Sequence, residues 1–196
     1  MRVLQALEAI DAQYRTHPQA LTPAFQAEVI WPALRAADPD MPPYLHARGR
    51  PGEEHDWPLL FWAGLTQRIT AHRQADAWSA GQSAEQLVLA WIQTRQADAA
   101  QLHADWTAQE GQERQLWGAP DTDVYGPLHT RLTQGLQTLQ AFERDVKAGT
   151  FRPALARLLI WESTVRPPIR TPSQPHAQLQ AWLDDVTRVL HVLQDA

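Results

Sequence analysis

Apolar side chains recur along this chain at three- and four-residue spacing, and no convincing alternating stretch interrupts them. That rhythm lays a stripe along one side of an α-helix, whereas a half-buried strand needs strict alternation. Val3, Leu4, Leu7, Ile10 and Tyr14 line a first predicted helix, which Pro18 ends. Thr22 and Pro23 read as an N-cap and a first-turn proline, and Phe25, Val29, Ile30 and Leu34 carry a second helix to about Ala37. Asp56 and Pro58 open a third, running to about Ala80. Ser83 with Gln86 forms a capping box before a fourth, which extends to Trp117 across Gly111. Leu128, Leu132, Leu139, Phe142 and Val146 mark a fifth, stopped by Gly149. Phe151 to Arg166 make a short sixth, ended by Pro167-Pro168. Leu179, Leu183, Val186, Leu190 and Leu193 form the stripe of a seventh.

The expected fold is therefore all-α: a single domain over residues 1–196, built as an antiparallel bundle or array of about seven helices. Two stretches fall outside the pattern. Residues 38–56 hold four prolines, two glycines and clustered charges, and residues 167–175 are again proline-rich. A long irregular segment inside a compact domain is usually functional, disordered or a linker.

Composition narrows the class. With 44% hydrophobic residues and nine Trp, the chain has ample material for a core. Cysteine is absent, which removes disulfides, thiolate metal sites and Cys nucleophiles together. Asparagine is absent too, and Lys147 is the only lysine beside sixteen arginines, a bacterial-like composition of the kind GC-rich coding produces. The first thirteen residues carry Glu8 and Asp11 where an export signal needs an apolar core. The apolar run from Trp57 to Leu65 is far shorter than the ~20 residues a membrane-spanning helix needs. A cytoplasmic protein without a membrane is the expectation. The net charge of −5 divides into −3 over residues 1–100 and −2 over 101–196, which does not favour nucleic acid.

No phosphate-binding loop, dinucleotide fingerprint, nucleophile elbow or HExxH motif occurs. The His-x3-Glu and Glu-x2-His spacings of metal-binding helical bundles are missing as well. Asp121 to Gly126 open like a calcium loop, but Leu132 stands where the closing bidentate Glu belongs. That stretch is a turn.

Three groups of residues remain as candidate sites. His72 and Asp76 lie four apart on the third helix, while His103 and His129 border the apolar stripes of the fourth and fifth. If those helices pack together, the four side chains converge on one metal ion or proton-transfer set; the bland alternative is structural histidines with satisfied hydrogen bonds. His46 and His55 sit in the 38–56 loop among charged neighbours, a solvated loop before a ligand-gripping lid. Trp91, Trp106 and Trp117 fall within about a quarter-turn of one another on the fourth helix, and Arg95, Gln109 and Glu113 interrupt the same stripe. A face that mixes Trp with Arg and Glu suits a partner surface as well as a dry core. Finally, residues 144–170 carry six basic and two acidic groups, a net of +4, and Arg166 and Arg170 could present two guanidinium groups on a stiff loop.

The leading expectation is a non-catalytic interaction protein, an adaptor, regulator or complex subunit without a cofactor. It would meet a protein partner or its own copy through Trp91, Arg95, Trp106, Trp117, Arg166 and Arg170. One alternative is a metal-dependent bundle enzyme using His72, Asp76, His103 and His129. Another is an accessory subunit touching nucleic acid through residues 144–170.

Overall fold

The computed structural model describes residues 2–20, 22–42, 57–118, 123–165 and 174–194, with the side chains of 57–59 set aside. Among the described residues the fold is all-helical; the sole β-type pairing is an isolated bridge between Phe151 and Gln194. No helix among them is long and apolar enough to cross a membrane. The chain divides into two compact units, Met1–Ala80 and Gly81–Ala196.

The first unit holds α1 (Val3–Tyr14), α2 (Pro23–Phe25), α3 (Trp31–Ala37) and α4 (Trp57–Trp78). A π-turn over Gln26–Ile30 joins α2 to α3, so the three segments form one continuous second helix. Its cause is local. Pro32, in the first turn of α3, has no N–H to donate and crowds the carbonyl one turn back, and the wider turn just before it absorbs the misfit. Thr22 holds the N-cap position, but its hydroxyl donates to Gln19 O instead of capping the helix. Leu7, Ile30, Leu34, Met41, Phe61, Trp62, Leu65 and Ile69 make the core of this unit, drawn together by removal of apolar area from water.

The second unit holds α5 (Ala84–Trp117), α6 (Tyr125–Ala148), α7 (Ala156–Val165) and α8 (Pro175–Leu193), with a 3-10 turn at Pro153–Leu155. Ser83 and Gln86 close the anticipated capping box: Gln86 N donates to Ser83 Oγ at 3.1 Å and Ser83 N to Gln86 Oε1 at 2.9 Å. Gly149 stops α6 in the left-handed conformation at φ 75°, where its N–H donates to Val146 O and that of Thr150 to Asp145 O. Helix α5 packs against α6, α7 and α8, and α6 against α8. At Gly135 the approach of α8 is so close that a Cβ would lie 2.6 Å from Trp182 Cζ3. The predicted stripes of α6 and α8 are the buried ones, Leu128 to Val146 and Leu179 to Leu193, with Leu183 half-buried.

Candidate functional site

Helix α5 outlasts the core that supports it. Trp106 is its last fully buried residue; of residues 107–118, all are exposed except the half-buried Glu110. A helical segment that is polar nearly all round draws its order from its own side chains. Here Gln109 Nε2 donates to Glu113 at 3.0 Å and Arg114 Nη2 to Glu110 at 2.6 Å, both one turn apart. One tie reaches back from the next helix: Tyr125 OH donates to Glu113 Oε1 at 2.9 Å. Burial and the neighbouring Glu113 and Glu110 carboxylates push the Tyr125 phenol up to about 12, so it stays a donor.

This polar rod ends on apolar side chains. Leu116 is 73% exposed and Trp117 84%, immediately before Gly118 turns the chain at φ 80°. Val124, at the start of the return into α6, is also exposed. An exposed Leu is ordinary; a Trp laid bare next to it on a projecting helix end is the unusual feature.

The other tryptophans of the stripe are taken up inside the unit. Trp91 and Trp106 are 2% and 1% exposed, and their indole N–H groups donate to Ser163 Oγ at 2.8 Å and Gln178 Oε1 at 3.0 Å. Trp182 Nε1 donates to Arg95 O at 3.0 Å. Arg95 itself lies in a polar seam among α5, α7 and α8, with Nη1 2.8 Å from Asp98 Oδ2 and Nε 3.5 Å from Asp185 Oδ2. Ser163 Oγ donates to the same Asp185 at 2.6 Å. Carboxylate, hydroxyl, indole and guanidinium meet here and orient three helices, although Arg95 Nε, 3.5 Å from Asp185 Oδ2, makes no hydrogen bond of its own among the described residues. Trp91 and Trp106 are thus interior residues of this unit, Arg95 is half-buried, and of the four anticipated partner residues on α5 only Trp117 is fully exposed. Arg166 and Arg170 lie outside the described residues. Elsewhere in the basic segment, Lys147 pairs with Glu143 at 2.6 Å and Arg157 donates to Gln82 O at 2.6 Å.

The histidines are placed in two settings. In the first unit His72 is buried and its Nε2 stands 3.1 Å from Oδ2 of Asp38, the residue that ends α3. Arg68, one turn earlier on α4, grips the same carboxylate through Nε at 2.7 Å and Nη2 at 3.1 Å. Burial alone would raise the Asp38 pKa, but hydrogen bonds to His72 and Arg68 together with the Arg68 charge outweigh it and hold the carboxyl below its ordinary range. Asp76 follows His72 by one turn and is half-buried. In the second unit His103 and His129 meet, with ring centroids 4.3 Å apart, and Trp106 lies 5.7 Å from His129. No group of three or more His, Asp or Glu side chains among the described residues is arranged to hold a metal ion. His46 and His55 lie outside the described residues.

Comparison with protein-family models, curated proteins and solved structures finds no match.

Sequence reasoning missed Asp38 as the partner of Arg68 and His72, because thirty-odd residues and a loop separate the pair. It also missed a half-open groove of about 320 Å³ between α6 and α8, lined by Arg131, Gln134, Thr138, Leu183, Thr187 and His191 among others. The absent side chain of Gly135 was the one available signal for that close approach.

Proposed function

We propose that the chain is a non-catalytic helical interaction protein of the cytoplasm, which binds a protein partner through the projecting end of α5. In this reading α5 to α8 form an antiparallel array whose closed polar seam and Trp-lined interior serve only to hold that end out. The observation that carries the proposal is the exposed pair Leu116 and Trp117 at the tip of three largely exposed helical turns. Covering a Leu-sized side chain contributes about 1.5–3 kcal/mol, and truncating an interface Trp can cost about 2–4 kcal/mol, so two such residues suffice to anchor a contact. The i,i+4 pairs along the rod keep it helical before it binds, which lowers the ordering cost of association.

Photo-crosslinking in the host organism tests the reading. A photoreactive residue at position 117 should give one dominant protein adduct, while the same residue at exposed position 101 should give none. Equal labelling from both positions, or none from either, would sink the proposal.

A further inference from the structure

We infer that His103 and His129 form a two-imidazole clamp for a divalent transition-metal ion, with water completing its shell. This site is separate from the tip of α5 and does not depend on it. The two rings belong to different helices, α5 and α6, which pack side by side, so their meeting is fixed by tertiary structure rather than by local chain geometry. Their centroids are 4.3 Å apart and their planes inclined at 50°. An imidazole nitrogen ligates at about 2.1 Å, which sets two rings on adjacent corners of one ion about 4.6–5.3 Å apart, centre to centre. Binding therefore requires the rings to part by up to about 1 Å, a movement that falls to His103, the exposed member of the pair.

A second observation points the same way. His129 Nδ1 is buried and has no hydrogen-bond partner among the described residues. An unpartnered buried nitrogen destabilises the fold, and an added ligand at the ring pair would offset that cost. His103 at the surface gives an ion its path in, and imidazole selects borderline ions such as Cu²⁺, Ni²⁺ and Zn²⁺ over Mg²⁺ or Ca²⁺. Two side-chain ligands hold an exchangeable ion, weaker than a structural zinc. When bound, it ties α5 to α6 at the root of the exposed turns.

Trp106, 5.7 Å from His129, supplies the readout, because Cu²⁺ quenches a nearby indole. Purified full-length protein is titrated with Cu²⁺ alone, following Trp emission, and with Zn²⁺ alone, following Tm. The wild type should be quenched with a micromolar midpoint and stabilised by Zn²⁺. In H103A, whose substitution touches an exposed side chain, the midpoint should rise at least about tenfold and the Tm shift should vanish. W106F should keep the Tm shift and lose most of the quenching. A wild-type midpoint in H103A would overturn the inference by placing the ion on other histidines, and so would an absence of both effects at millimolar metal. H129Q, checked for folding by circular dichroism, removes the α6 ligand and should raise the midpoint as H103A does; a midpoint left unchanged there would overturn the inference equally.

Discussion

Arg68 Nε lies 2.7 Å from Asp38 Oδ2, across thirty residues of sequence, with the Asp38 side chain fully withdrawn from water and that of Arg68 6% exposed. The pair pins the end of α3 to the middle of α4, and His72 Nε2 adds a second contact to the same oxygen. Buried charges are tolerated only when matched, so removing one partner strands the other. Asp38→Ala should therefore cost about 3–5 kcal/mol in urea unfolding. Arg73→Ala removes an ion pair to Glu8 whose arginine is 63% exposed, and should cost less than about 1 kcal/mol. Equal losses from the two variants would contradict the burial argument.

The same carboxylate predicts an acid limb. Its folded pKa lies below its ordinary value of 3.8, so the unfolded chain binds that proton more readily. The stability it contributes is fully present above 3.8 and is lost as pH falls through the lower folded value. Among the described residues, Arg68 and His72 contact it, and the Asp40 carboxylate pairs with the same Arg68. Urea midpoints of Asp38→Asn, measured from neutral to strongly acidic pH, should start lower than wild type and fall less on acidification. A parallel decline of the two proteins would rule out Asp38 as the source.

Two glycines in helices should respond in opposite directions. Gly111 has open space around it, so Gly111→Ala should add about 0.5–1 kcal/mol through helix propensity alone. Gly135→Ala gains the same propensity but drives a methyl into Trp182 and Leu183, where overpacking of about 1–3 kcal/mol outweighs it. Thermal unfolding should show Tm raised by the first and lowered by the second.

Tyr125 gives an optical test of the tie between α6 and the projecting turns. With its phenol pushed up to about 12, it should ionise later than a free tyrosine side chain, and Glu113→Gln should bring it back toward 10. Since the folded value exceeds the unfolded one, the stability from this phenol is present below pH 10 and is lost as pH rises through the folded value. Absorbance near 295 nm, with Tyr125→Phe as the blank, follows the transition. An ordinary midpoint for Tyr125 in the wild type would remove the tie.

Helix positions were legible because their signals are local. Apolar spacing, the Ser83 capping box and the Gly149 stop act within one or two turns, and each appears where the residues place it. The π-turn before Pro32 was not foreseen, although the proline in a helical pattern was its visible cause. The site was harder for a physical reason. Trp91, Trp106 and Trp117 share one side of α5, yet two are buried and one is bare, because burial depends on whether a neighbouring helix is still alongside at that level. Periodicity gives the side of a helix and says nothing of where its support ends. The pairing of Asp38 with Arg68 and His72 is long-range in the same sense: nothing near Asp38 in the sequence names its partners.

Native mass spectrometry of the untagged protein from its own host, wild type against Leu116→Ser/Trp117→Ser, bears most directly on the role of the α5 tip. Both chains should fold alike, since neither side chain is buried. The wild type should appear in a stoichiometric complex with a protein or a second copy, and the double variant as the bare chain. A wild type found only as a bare chain, or a complex the variant keeps intact, would contradict the account.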